Sequence, residues 1–500
     1  MRSTFLGFNT ATSGLFASQR ALDITGHNLA NVNTAGYTRQ RLIQTQSTPM
    51  PLSGRQGMLG TGVDTVAIQQ LRNEFLDYRY RGEVNSLGYW EAKSDGLYFL
   101  EAIMNEPSET GINTIIKEFF DSFQQLSKPE NANSLATRRL VRENASAFTS
   151  SINSMYSQME NLVRGLNNDV VDAVNSINGY AEQIAQLNEQ ISRYEIGGST
   201  ANDLRDRRNL LIDELSKLVN IEVLEVSDGN GNNKMAIQIN GNPLVHHDRV
   251  KKLDAGTKEK SEFFDEMGVD LEINVVRWAD GTILNTSALK GELKGLLDLR
   301  DGQGGATKGV PYYIERLNHF AQVLAEEVNK LHSSGFGLNE TTGIMFFTAN
   351  GVSTEEALKD TSPKINAKNI AVALDLEDLN KIAAASELDL LPGDGSNALK
   401  LAELRNNGSM FKEGKAEDFM TALIANLGVD SLEAQRNAVN QFLLTEMVDT
   451  ERQRISGVST EEELTNMIRF QHAYNASARM VTTFDEMLDV IINKLGIVGR

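Results

Sequence analysis

A heptad seam near the C-terminus constrains this chain more than any other feature. Met467, Tyr474, Val481, Leu488 and Leu495 recur every seven residues, and Phe470, Ser477, Phe484, Ile491 and Val498 form a second row three places later. Only Ser477 in the two rows is polar. Rows at this spacing share one stripe of a helix whose side chains seat between residues of a facing helix, so a partner helix is required. The opposite end of the chain carries a complement. Phe8, Leu15, Leu22 and Leu29 also repeat at seven residues, beside a weaker row of Ala11, Ser18, Thr25 and Val32. A strong row next to a weak one predicts a helix in a crowded bundle, with the strong row at its interface. Both termini read as helices made to pair, with the bulk of the chain inserted between them.

Composition narrows the setting. There is no cysteine, which excludes disulfides and thiolate metal sites. A length of 500 residues suggests several domains. The net charge of −19 argues against nucleic-acid binding. Residues 1–55 are locally basic, with Arg2, Arg20, Arg39, Arg41 and Arg55 against Asp23 alone, but single arginines along a packing helix read as solvated charges. No run approaches the ~18 apolar residues of a membrane span. Asn9, Thr10, Thr12 and Ser13 interrupt any signal-peptide core. Neither stable membrane insertion nor a cleaved leader is expected.

Along the chain, the first helix should stop near Asn33-Thr34-Ala35-Gly36. Residues 37–48 read as extended, and the Pro- and Gly-rich residues 49–62 as a hinge. Helical periodicity covers 75–104 and, without a break, 138–194, a length suited to an elongated rod. Gly197-Gly198 ends that helix, and Asn202 is placed to cap the next. Short β patterns follow at 221–226, 235–239 and 269–276, separated by hairpin-type turns such as Asn240-Gly241. Helices return at 293–299, 312–331 and 416–455. The expected fold is mainly α with an inserted β domain. Residues 1–62 with 456–500 form paired terminal coiled-coil helices. Residues 63–220 with 286–455 form an elongated helical-bundle stalk, in which 335–392 resist assignment, and 221–285 form the β-rich module. Ser459 and Glu462 are spaced as a capping box, and Glu461, Glu462 and Glu463 suit the positive end of a helix dipole better than a metal.

A search for chemistry finds little. His27 and His472 fall on outward helix positions, and His246-His247 lacks further ligands nearby. Asp228-Gly229-Asn230-Gly231-Asn232 opens like a calcium loop, but Ile239 stands where a bidentate Glu is needed. Ser287 and Lys290 match SxxK without its companion motifs. Gly302-Gln303-Gly304-Gly305 lacks the ending of a phosphate loop. No catalytic residue, cofactor or metal is expected.

The terminal segments then identify a family. Ser13-Gly14-Leu15 through Ala21 to Tyr37, including Asn28, Asn31, Asn33, Gly36 and Tyr37, resembles the N-terminal motif of bacterial flagellar rod, hook and hook-associated proteins. Gly457-Val458-Ser459, Phe470-Gln471 and Tyr474 to Ala478 resemble the C-terminal motif. Rod and hook members usually carry Phe after the glycine; Tyr37-Thr38-Arg39-Gln40 is similar to the hook-associated branch. The resemblance implies an exported structural protein of the hook–filament junction, with terminal helices inside, the helical domain around them and the β module outermost. It implies copies of itself, hook protein, a second junction protein and a cytoplasmic export chaperone at the C-terminal helix as partners. The expected assembly interface is Phe8, Leu15, Leu22, Leu29, Met467, Phe470, Tyr474, Val481, Phe484, Leu488, Ile491 and Leu495. Hook protein, the second junction protein, and an adhesin or enzyme active in the β insert stay open as alternatives.

Overall fold

A computed structural model describes residues 5–51, 57–104, 111–227, 233–266, 271–305, 307–359 and 363–494. Leu495 and Val498 of the C-terminal rows, and part of the turn at 229–233, lie outside the described residues. The helices are α1 (Leu6–Ala30), α2 (Glu74–Met104), α3 (Ile112–Leu126), α4 (Leu135–Glu195), α5 (Asn202–Leu218), α6 (Glu262–Glu266), α7 (Glu292–Asp301), α8 (Val310–Ser334), α9 (Thr354–Ala357), α10 (Ser396–Glu403), α11 (Ala416–Ser456) and α12 (Thr460–Asp489). The first eight strands are β1 (Gln40–Gln46), β2 (Met50–Pro51), β3 (Met58–Leu59), β4 (Val63–Gln70), β5 (Glu222–Ser227), β6 (Asn233–Ile239), β7 (Asn242–His246) and β8 (Arg249–Val250). The chain folds as two compact units, residues 1–86 with 176–252 and 441–500, and residues 87–175 with 253–440.

In the first unit α1 packs along α12. Strands β1 and β4 pair antiparallel, with a register shift between Ile43 and Gln44. Gly36, at φ +75°, turns the chain from α1 toward β1, and a Cβ there would press on Leu210 of α5 at 3.1 Å. Strands β5 to β8 form an antiparallel sheet in sequence order. Asn240 and Gly241, at φ +50° and +79°, supply the left-handed pair that a two-residue hairpin between β6 and β7 needs. Ile237, Ile239, Leu244 and Val245 of the sheet are fully buried.

The second unit is built on aromatic packing. Phe119 of α3 lies 5.7 Å from Phe148 of α4 and 6.0 Å from Phe346, and Phe148 lies 6.4 Å from Phe320 of α8. Phenylalanines at Phe119, Phe123, Phe148, Phe320, Phe346 and Phe347 are wholly buried. Beside them Arg138 is also buried, its guanidinium donating to the carbonyls of Ala132 and Ile382. Residues 335–392, unassigned from sequence, carry short helical turns, the antiparallel strand pair Phe347–Ala349 with Ile370–Val372, and an antiparallel bridge between Phe336 and Ala385.

Two local expectations change. Ala201, not Asn202, is the N-cap of α5. The Asn202 amide instead donates to Gln40 Oε1 at 3.2 Å and to the Ile68 carbonyl at 3.1 Å. Ser459 does cap α12 by accepting from the Glu462 amide. The Glu462 side chain does not complete the box; it accepts from Arg39 Nη1 at 2.7 Å, because a guanidinium is a stronger donor than a backbone amide.

Candidate functional site: an antiparallel helix pair and its polar clasp

Three contacts fix the register of the terminal helices. A Cβ on Gly7 would overlap the Phe484 ring, one on Gly14 would lie 3.2 Å from Ser477 Oγ, and Asn28 bonds Glu463 at 3.2 Å. Each advance along α1 is matched by an equal retreat along α12, so the helices run antiparallel. On α12, Met467, Phe470, Tyr474, Ser477, Ala478, Val481, Phe484 and Leu488 are half-buried and Gln471 is exposed, as is Ile491 just beyond the helix. On α1, Phe8, Leu15, Leu22 and Leu29 are only half-buried. The buried residues are Ala17, Ser18, Ala21, Ile24, Thr25 and Asn28. Small side chains therefore occupy the closest approach, and the leucines flank it. Ser18 tolerates this because its hydroxyl is satisfied within the helix, donating to the Gly14 carbonyl at 2.8 Å; the half-buried Thr10 likewise donates to that of Leu6 at 2.9 Å.

A polar clasp closes the end of the pair. The Asn28 amide donates to the Gln40 carbonyl at 2.8 Å and to Glu463 Oε2. Its carbonyl oxygen accepts from the Tyr37 hydroxyl at 2.7 Å and the Gln40 amide at 3.0 Å. All four bonds open to an asparagine side chain are thus used, as burial at 1 % exposure demands. Arg39 Nε donates to Glu463 Oε1 at 2.8 Å, and its backbone amide donates to the Ser456 carbonyl at 2.8 Å. Gly457 sits beside that carbonyl, where a Cβ would collide with the backbone oxygen of Gln453. Asn31 holds the turn after α1 by donating to the His27 carbonyl at 2.9 Å, and Asn33 is exposed.

Helix α5 completes the clasp. Asp206 accepts from the Thr38 amide at 2.9 Å and Gln70 Nε2 at 2.8 Å; Asp203 accepts from Gln40 Nε2 at 2.8 Å and faces His27 Nε2 at 3.3 Å. Burial pushes the Asp206 carboxyl up to about 6, despite the Thr38 bonds and Arg72 that favour its charge. Burial, then Asp203, Asp206 and Glu463, raise the Tyr37 phenol well above its ordinary value, so it stays a donor. A second layer links α2, α5 and α11. Arg81 Nε donates to Asp213 at 2.8 Å, and the Arg452 guanidinium reaches the same carboxylate while lying 3.9 Å over the Tyr80 ring.

The sequence reading named Asn28, Tyr37 and Gly457 as motif residues but missed Arg39, Glu463, Asp203 and Asp206 as their partners. It took Glu463 as a helix-start charge; the side chain does lie in the first turn of α12, and it is buried and paired there as well. Among the described residues no group of His, Asp or Glu side chains could hold a metal ion, and no helix is long and apolar enough to cross a membrane.

A knot tying the first helix to the last, around motifs at both chain ends, defines a class. The model of flagella basal body rod protein matches residues 8–38, and that of flagellar basal body rod FlgEFG protein C-terminal matches 450–495. The chain is thus built on the axial framework of the bacterial flagellum. The model of the flagellar hook-associated protein FlgK helical domain matches residues 97–347. Flagellar hook-associated protein 1 of Bacillus subtilis (strain 168) is 35 % identical over the full length of both chains. That of Escherichia coli (strain K12) is 26 % identical over 97 % of this chain and 99 % of its own. The solved flagellar hook junction protein FlgK from Burkholderia pseudomallei shares the fold at a TM-score of 0.62 and 15 % identity, covering 76 % of this chain and all of that one. The chain belongs to the flagellar hook-associated protein 1 family.

Proposed function

We propose that this chain is a structural subunit of the hook–filament junction, exported without a cleaved leader and assembled with copies of itself between hook protein and a second junction protein. The carrying observation is that the terminal helix pair satisfies one seam internally yet stays apolar outside. Phe16, Leu464, Ile468, Met480 and Met487 are 45–57 % exposed. Large apolar side chains left exposed around one helix pair suit association with further copies. Residues 1–62 with 456–500 then form the assembly domain, 63–220 with 286–455 the stalk, and 221–285 the outer module. The apolar side chains exposed on α12 need shielding before export, which suits a cytoplasmic chaperone.

Fractionation tests this reading. Sheared flagella should contain the chain, and a deletion strain should keep hooks while releasing filament subunits into the medium. Recovery of the chain only from cytosol, with normal filaments in the deletion strain, would refute it.

A further inference from the structure

A groove and a knob lie on opposite faces of α1. The groove is an uncharged cavity of about 480 Å³ walled by Leu6 and Ala11 of α1, Leu59 of β3, and Ala476, Met480 and Phe484 of α12. Its size falls within the range of ligand-sized pockets, and no charged side chain lines it. Gly7 and Gly60 also line it and add no side chain to its wall. Phe16 is 56 % exposed on the same helix. At 3.6 residues per turn it points roughly 150° away from the groove-lining positions of α1.

We propose that Phe16 of one copy seats in this groove of the next. The inference rests on the self-assembly reading above and names the contact it uses. Four observations select a second copy as the occupant. Both surfaces belong to the terminal pair, so the contact continues an existing seam. The groove is uncharged, which suits an aromatic ring and disfavours an ionic ligand. The cavity can hold a ring of this size. Knob and groove face opposite ways, so every subunit gives once and receives once. Such a heterologous contact builds rings or helical arrays, whereas a self-complementary patch stops at a dimer.

The experiment uses the full chain in its native bacterium, with p-benzoylphenylalanine replacing Phe16. Ultraviolet cross-linking of sheared flagella should join position 16 of one copy to residues 476–484, or to Leu59, of another. Cross-links only to a different protein, or only elsewhere on the chain, would overturn the contact. Ala476→Trp fills the groove and leaves Phe16 intact. It should lower the amount of chain in the flagellar fraction by about ten- to a hundred-fold, the cost of leaving one large apolar side chain unburied. Wild-type recovery with this variant would also overturn the contact, and it decides the matter if the benzophenone chain fails to incorporate. Wild-type chain is scored in parallel. Its absence from flagella would refute the assembly reading and this contact together; its presence with a failed cross-link refutes the contact alone.

Discussion

Asn28 and Glu463 stand 435 residues apart and share a buried hydrogen bond of 3.2 Å. Glu463 also takes the Arg39 guanidinium, with Arg39 Nη2 at 2.7 Å, so one carboxylate ties the end of α1 and the start of β1 to the first turn of α12. The helix dipole of α12 adds to its stabilisation, since the charge lies at the positive end. An interior carboxylate held by a charged and a neutral donor specifies register more than it adds net stability, because burial of both charges offsets much of their attraction.

Removing one partner is a different matter. Glu463→Ala leaves Arg39 without its buried counter-charge and Asn28 with an unused donor. The expected loss is about 3–5 kcal/mol, read as a shift of the denaturant midpoint of the first unit. Arg39→Ala should cost at least as much, since it strands the Glu463 carboxylate at 3 % exposure, whereas Arg39 keeps Glu462 when Glu463 is removed. A double-mutant cycle between the two should give a coupling of at least about 1 kcal/mol. Additive single losses would show that the clasp is not a unit.

The close approach of the helices sets a second test. Gly7→Val places a branched side chain into the Phe484 ring, and overpacking of this kind costs about 1–3 kcal/mol. Phe484→Ala alone should destabilise by leaving a void. Combined with Gly7→Val, it should recover much of the loss, because the valine then fills the vacated space. Thermal melting followed by circular dichroism checks the pair. Two losses that simply add would place Gly7 away from Phe484.

These two tests concern features that the sequence disclosed unequally. The α12 stripe was legible because Phe470, Ser477 and Phe484 repeat at the helical period. On α1 the row read from the sequence is half-buried and lies beside a buried row of small residues. Its leucines carry the hydropathy, but Gly14, Ser18, Ala21 and Thr25 allow the approach, and a rule that weighs apolar bulk overlooks small residues. Arg39 and Glu463 left no local trace, since 424 residues separate them and no period links them. The same holds for Asp206, which looks like an ordinary polar residue in the first turns of α5. Motif residues were found without their partners because pairing across the chain is a property of the fold.

Acid should act oppositely on the two units. His332 in the second unit is fully buried and uses both ring nitrogens, with Nδ1 2.8 Å from the Ile344 carbonyl and Nε2 accepting from the Ala383 amide at 3.0 Å. Burial holds it down to about 4, against 6.5 for a free histidine. The unfolded chain then binds the proton more readily between these values. Stability present above pH 6.5 is lost as pH falls toward 4. Asp206 in the first unit is raised from 3.8 to about 6, so the folded state binds the proton more readily. Its contribution is present below pH 3.8 and is lost as pH rises through 6. Trp90 and Trp278, the protein's two tryptophans, both lie in the second unit. The urea midpoint from their fluorescence should fall between pH 7 and 5, and His332→Gln should flatten that fall. Hydrogen exchange in α5, corrected for intrinsic rate, should slow over the same interval and cease to respond in Asp206→Asn. A tryptophan midpoint equally pH-dependent in His332→Gln would remove the histidine from the account.

Val481 tests whether assembly depends on the seam of the helix pair. It is half-buried in the helix pair, one turn before Phe484 and close to the groove wall. Val481→Asp puts a carboxylate into that apolar stripe, at an expected cost of about 3 kcal/mol. Every assembled copy would repeat the error, so cells carrying the variant should release filament subunits as monomers. Glu486→Asp, on the exposed side of the same helix, keeps the charge and should leave filaments unchanged. If the α12 stripe also serves the export chaperone, affinity for that chaperone should fall with Val481→Asp, measured by titration against the full-length chain. Blocked assembly with unaltered chaperone affinity would assign the two partners to different faces of α12. Normal filaments from both variants would remove the stripe from the assembly mechanism altogether.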